Sequence, residues 1–214
     1  MPGRILLATR SSGKIKELSV ILGELGVDFT DLGSVGLDEL PEEDDLESFP
    51  TFEENAIVKA QYFFRRSGGM PTLGDDSGLM IDALGGEPSV LTKRWSGRSD
   101  LSGRALDDAN NEKLVREMRR LQLEGGEVSR SASYVCVAAF VDERGVVSRR
   151  GEIGGTILDS PRGSGGFGYD PYFLAPELGG TFAESSWENT GRHSHRSRAV
   201  RALIAALRAE GRIG

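Results

Sequence analysis

The stretch ILLATRSSGKIKELSVILGEL, residues 5–25, decides the fold class. Ile5-Leu6-Leu7-Ala8 is a short unbroken apolar run, the pattern of a strand buried on both faces. After the polar Thr9-Arg10-Ser11-Ser12-Gly13, apolar residues recur at Ile15, Leu18, Leu22 and Leu25, the spacing of an amphipathic helix. A strand, a polar loop and a helix in succession form the opening half of an α/β unit. The loop sits where free backbone N–H groups and the positive end of the helix dipole attract phosphate, and its hydroxyls and Lys14 add to that attraction. It is not a Walker loop, because Ala8 stands where the first glycine is needed and Ile15 where Ser or Thr must follow the lysine. Taken alone, the same loop reads equally well as a plain helix cap.

Outward from this unit, ELPEEDDLESFP (39–50) is too acidic and too rich in proline for a core element and reads as a loop. Thr51 with Glu54 has the form of a capping box, and Phe52, Ala56, Ala60 and Phe63 follow at helical spacing, so a helix is predicted over about 52–66. Thr72-Leu73 and Leu79-Met80-Ile81 flank Gly74-Asp75-Asp76-Ser77-Gly78, which reads as a tight turn presenting two acids. Leu106, Leu114, Met118 and Leu121 predict a third helix; Ser133 to Val141 and Val146 to Ile153 predict a strand pair turning at Asp142-Glu143-Arg144-Gly145. The segment SPRGSGGFGYDP (160–171) reads as irregular, and Val200, Leu203, Ile204 and Leu207 mark a C-terminal helix from Arg198 onward. Without repeats or a low-complexity linker, this succession predicts a single α/β domain over 1–214 around a mixed sheet.

Of the 214 residues, 38% are hydrophobic and 28% charged, which excludes a disordered or fibrous chain. The net charge of −7 argues against general nucleic-acid capture, so an anionic ligand must be met by a local basic site. Cys136, the single cysteine, lies in an apolar run and is expected to be a buried core thiol. No apolar stretch approaches the roughly 18 residues of a membrane span, and the start Met1-Pro2-Gly3-Arg4 lacks a signal-peptide core, so the expectation is a cytoplasmic protein with no membrane or nucleic-acid partner.

Three further clusters carry possible chemistry. Gly163-Ser164-Gly165-Gly166-Phe167-Gly168 fits the letters of a dinucleotide fingerprint, but Tyr169-Asp170-Pro171 prevents the helix that fingerprint requires, leaving a loop that can bring N–H groups and aromatic rings to a flat ligand. Asp75, Asp76 and Glu47, grouped near phosphate-binding lysines, suit Mg²⁺, although adjacent acids in a turn are also ordinary caps. His193-Ser194-His195-Arg196 is a poor zinc site and reads either as a solvated polar loop or as a base- or phosphate-binding edge before a helix. A serine hydrolase is disfavoured because no G-x-S-x-G elbow is present.

Taken in order, ATRSSGKIKEL, TFEENAIVKA, GDDSGL, GGEPSVLTKRWSG, GGFGYDPYF, TFAE and SHRSRA resemble the inosine/xanthosine triphosphate pyrophosphatases that clear aberrant purine nucleotides. The resemblance implies a long mixed sheet with flanking helices in two lobes about a central cleft, a homodimer, and Mg²⁺-dependent cleavage of a purine nucleoside triphosphate to the monophosphate and pyrophosphate. By position it makes Asp76 the general base and a metal ligand, with Glu47 the second metal ligand and Ser77 beside the substrate. Thr9, Arg10, Ser11, Ser12, Gly13, Lys14 and Lys59 would take the triphosphate; Phe167, Gly168, Tyr169, Asp170, His195 and Arg196 would enclose and read the purine. Three positions depart from the family pattern. Ser11 replaces the usual Asn, Thr190 stands where a base-reading lysine is expected, and Lys93 fills a position usually held by a small residue. Losing the lysine donor costs about 1–3 kcal/mol where its acceptor on the base stays unpaired, unless Arg192 or Lys93 supplies the cation. The alternatives are a pyrophosphatase of shifted base specificity, a nucleotide-binding module without turnover, and a phosphatase releasing orthophosphate.

Overall fold

A computed structural model describes residues 4–125 and 127–214; Met1-Pro2-Gly3, used above in reading the N-terminus, lie outside the described residues. The elements in chain order are β1 (Ile5–Leu7), α1 (Ser12–Glu24), β2 (Phe29–Asp31), α2 (Phe52–Arg66), β3 (Thr72–Ile81), α3 (Gly103–Glu124), β4 (Ser131–Asp142), β5 (Gly145–Ile157), β6 (Phe173–Ala175), β7 (Gly180–Thr181), α4 (Trp187–His193) and α5 (His195–Ala209). The strands form one seven-stranded sheet in the order β2-β1-β3-β4-β5-β6-β7. β1 is parallel to β2, with Ile5 opposite Phe29, and to β3, with Leu7 opposite Leu73, whereas β6 is antiparallel to β5 and β7. The fold is therefore the expected mixed α/β class.

Two compact units can be described. The first comprises the described residues up to Ser77 together with Cys136–Glu152 and Gly191–Gly214; the second comprises Gly78–Val135 and Ile153–Thr190. In the first, successive strand residues point to opposite faces, so the run Ile5 to Ala8 feeds two cores. Ile5 and Leu7 join Leu73, Cys136, Phe140 and the apolar stripes of α1 and α5, whereas Leu6 and Ala8 join Leu32, Leu46 and Phe63 of α2. Leu18, Ile21 and Leu22 of α1 are at most 1% exposed, and burying each contributes about 1.5–3 kcal/mol, more than the Ser11 cap supplies. The second unit packs Leu79, Ile81, Trp95, Leu114, Met118, Tyr134, Tyr169, Phe173 and Phe182 together. Cys136 is fully buried, as its apolar neighbours predicted.

Helix α2 has the predicted bounds, and the Thr51 side chain accepts from the Glu54 N–H. The predicted turn at Gly74–Gly78 is not formed. These residues lie inside the continuous strand β3, and neither glycine has a positive φ. Gly74 is instead a contact point, because a Cβ there would meet the Ala56 carbonyl oxygen at 2.9 Å and the Ala60 Cβ at 3.1 Å. The glycine thus serves the close approach of α2 to the strand rather than a change of direction.

The reading of 193–196 as a solvated loop ahead of a helix is also corrected. Ser194 is the N-cap of α5, its side chain accepting from the Ser197 N–H, and His195 and Arg196 occupy the first helical turn with Arg196 only 1% exposed. The acidic segment is irregular as expected apart from a short 3-10 turn at Pro41–Asp45, and residues 158–171 form no regular element. Among the described residues, no helix is long and apolar enough to cross a membrane.

Candidate active site

The alternation of β3 divides the two aspartates within the first unit. Asp75 and Ser77 face α1 and α5: Lys14 Nζ lies 3.2 Å from Asp75 Oδ2, Arg196 Nε donates to the same oxygen at 3.0 Å, and Arg196 Nη2 donates to Ser77 Oγ at 2.7 Å. The other arm of Arg196 pairs with buried Glu17, which also accepts from the Ser194 hydroxyl. Asp76 faces α2, where Asn55 Nδ2 donates to its Oδ2 at 2.9 Å, and the Ser77 N–H donates to its Oδ1 at 2.9 Å. One turn along α2, the buried Lys59 ammonium pairs with Glu47.

These surroundings push the two carboxyls apart. Burial raises Asp75, but Lys14, Arg196 and Lys59 outweigh it and hold that carboxyl well below the usual range. At Asp76, burial is the largest effect and nearby Glu47 reinforces it, so this carboxyl is raised despite Lys14, Lys59 and the Asn55 hydrogen bond. Glu47 is drawn down to about 2, because Lys59 and Lys14 outweigh its burial. Lys59 is raised, burial notwithstanding, by Glu47, Asp75 and Asp76. The two adjacent acids thus shift in opposite directions, Asp75 because of its cations and Asp76 because of its burial.

The first loop is partly committed to folding. Ser11 Oγ accepts from the Lys14 N–H at 3.4 Å and Thr9 Oγ1 from the Ser11 N–H at 3.2 Å, so the capping role is present. Ser12 and Gly13 occupy the first two positions of α1, whose N–H groups have no carbonyl within the helix to bond. Arg10 does not project from this loop as a phosphate ligand. Its guanidinium donates to both carboxylate oxygens of Glu43, at 3.0 and 2.8 Å, and to the carbonyls of Leu37 and Asp38, binding the acidic segment to β1. Arg196 likewise departs from its expected base-reading role, since Glu17, Asp75 and Ser77 engage its guanidinium in the interior. His195 is buried, which with the adjacent Arg196 charge holds its imidazole neutral.

In the second unit, Asp170 closes the glycine-rich loop on itself: its Oδ2 accepts from the Phe167 N–H at 2.8 Å and its Oδ1 from the Tyr134 hydroxyl at 3.1 Å. Tyr169 is buried edge-on against Trp95, and its hydroxyl donates to the Thr92 carbonyl at 2.8 Å, so its ring is a core element rather than a free ligand face. Phe167 is the exposed ring of the loop. Thr190 is buried in α4, Arg192 pairs with Glu24 at 3.3 Å, and Lys93 is exposed.

The Ham1 family model matches residues 5–206. The chain belongs to the Ham1 family. Curated relatives include a dITP/XTP pyrophosphatase from Ralstonia nicotianae, 40% identical over 208 residues and 96% of each chain. Another, from Thermus thermophilus, bears the same name and is 42% identical over 206 residues, covering 96% of this chain and 92% of the relative. Among solved structures, a HAM1 protein from Coxiella burnetii superposes with a TM-score of 0.78 at 32% identity, over 96% of this chain and 98% of that one. The Staphylococcus aureus Ham1 protein gives 0.76 at 33% identity, over 97% and 99%.

Reasoning from sequence missed two residues of this candidate site. Asn55 fixes Asp76 and also ties α2 to the preceding segment by accepting the Phe49 N–H at 2.9 Å. Its signal was its place four residues before Lys59, on the same helix face. Glu17 anchors Arg196, and its signal was an acid four residues before Ile21 on the stripe that α1 buries.

Proposed function

We propose that this Ham1-family chain hydrolyses dITP, XTP and ITP between the α and β phosphates, giving the monophosphate and pyrophosphate, with Mg²⁺ as its metal. The observation that carries the reading is Asp76: a raised carboxyl, oriented by Asn55 and beside two lysines that can receive phosphate. The names of the relatives supply the substrate class.

The residues fit a divalent cation that arrives with the phosphates. Among the described residues no group of three or more His, Cys, Asp or Glu encloses a metal position. Mg²⁺ commonly takes only one or two carboxylates and completes its shell with phosphate and water. Glu47 and Asp76, close enough for each carboxylate to feel the other's charge, would hold it. When bound, the metal draws charge from the phosphate oxygens.

The chain's own residues do the rest. Lys14 and Lys59, which hold Asp75 and Glu47, turn to the incoming phosphates together with the first N–H groups of α1. Asp76 accepts a proton from a water aimed at the α phosphorus. As the new P–O bond forms, the bond to the bridging oxygen breaks, and pyrophosphate leaves with that electron pair. Arg196 and Glu17 keep Asp75 and Ser77 in place throughout. At the base, Phe167 offers an aromatic face. Lys93, whose charge reaches Asp107 beside the base loop, is a better substitute for the absent lysine than the Glu24-paired Arg192.

Pyrophosphate release from ITP, dITP, XTP, GTP and ATP tests the assignment. Preference for the first three, lost on chelation and restored by Mg²⁺, is expected. Orthophosphate as the product, or tight binding without turnover, would overturn it. The same reading carries a cytoplasmic homodimer, which sedimentation of the purified protein checks for assembly.

A further inference from the structure

Helix α3 reaches the base loop with two side chains that the reaction does not otherwise use. Asp107 Oδ2 accepts the Gly168 N–H at 2.9 Å, and Asn111 Nδ2 donates to the Gly168 carbonyl at 3.0 Å. Four residues apart, the two share one helix face. Between them they fix the peptide planes on both sides of Gly168, whose φ of +61° is a conformation that side chains rarely adopt.

The grip continues on either side. The Phe167 N–H is held by Asp170, and Tyr169 is anchored through its hydroxyl to Thr92, yet the Phe167 ring between these fixed points is 37% exposed. Asn111 carries a cost that packing does not explain: the residue is 8% exposed and its Oδ1 is buried without a hydrogen-bond partner. A buried amide with one end unsatisfied is retained for the bond its other end makes, which here is the bond to Gly168.

We propose that Asp107 and Asn111 are positioning residues for base discrimination, clamping Gly168 so that Phe167 is presented rigidly to the purine of the triphosphate. A loop ordered in advance spares binding the cost of ordering it, so the clamp acts on substrate affinity rather than on bond cleavage. The proposal rests on the pyrophosphatase reading above.

The test compares Asp107→Ala, Asn111→Ala and the conservative Asp107→Asn, which keeps a side-chain carbonyl to accept the Gly168 N–H. The two alanine variants should raise KM for dITP and XTP about tenfold while kcat stays within about twofold. They should also reduce the preference for dITP over dATP, and D107N should restore both properties. Amide exchange should accelerate at residues 166–169 in the alanine variants, with the rest of the second unit still protected. If one alanine variant does not fold, the other and D107N still decide. A fall in kcat with KM unmoved, equal losses for every nucleotide, or no rescue by D107N would overturn the proposal. An active wild-type enzyme with unaltered KM in both alanine variants overturns it alone, whereas a wild type that releases pyrophosphate from no triphosphate overturns it together with the reading on which it rests.

Discussion

Lys14 Nζ lies 3.2 Å from Asp75 Oδ2 and 3.3 Å from the Asp75 carbonyl oxygen, which joins the first turn of α1 to the acid-bearing strand. A lysine in that position can exchange a carboxylate for a phosphate without leaving its place. Lys14→Met should therefore raise KM for the triphosphate about ten- to a hundredfold, the worth of a charge-assisted hydrogen bond of about 1.5–3 kcal/mol. Asp75 keeps Arg196, so the fold should survive. Steady-state kinetics alongside a thermal melt check both statements.

The adjacent aspartates should separate in stability measurements. Asp75→Asn leaves Arg196 and Lys14 facing a neutral group in the interior and should cost about 3–5 kcal/mol in urea unfolding. The depressed Asp75 pKa means that its stabilisation is present above the ordinary aspartate range and is lost as pH falls through the folded value. Asp76 has the opposite sign. With its folded pKa raised, its contribution is present at low pH and is lost as pH rises through that value, so an ionised Asp76 weakens the ligand-free protein at neutrality. Asp76→Asn should spare the unfolding midpoint that D75N lowers.

The pH profile follows from the same raised carboxyl. If Asp76 must be ionised to accept a proton, kcat/KM falls with decreasing pH through a value above that of an ordinary aspartate, because burial and Glu47 both disfavour its charge. An acid limb at or below the usual aspartate value would contradict this assignment of the base.

Gly74→Ala should loosen α2 from β3, since the new methyl would meet the Ala56 carbonyl oxygen at 2.9 Å. Overpacking of this kind costs about 1–3 kcal/mol. Because α2 carries both Asn55 and Lys59, the same change should lower activity more than Ala at an exposed strand position. A melt and a rate assay on the one variant are sufficient.

The parts of this molecule that local chemistry dictates were legible in its sequence. The Thr51 cap and the apolar spacing after it located α2, and the run at Ile5 located β1. What eluded that reading depends on partners distant along the chain. Gly74 looks like a turn residue until α2 packs against the strand. Arg196 looks solvated until Glu17, 179 residues away, and Asp75 neutralise it in the interior. Resemblance to the family's first loop puts Arg10 on the triphosphate, whereas Glu43 and two carbonyls claim its guanidinium. Charge and glycine are the residue types whose role tertiary context resets most readily.

The most direct test of the account is pyrophosphate release by Asp76→Asn at saturating dITP and Mg²⁺. Removing the carboxylate should reduce kcat by about 10²–10⁴-fold, the usual contribution of a positioned general base, a loss well beyond any weakening of nucleotide binding. A variant that turns over dITP at the wild-type rate would contradict the account.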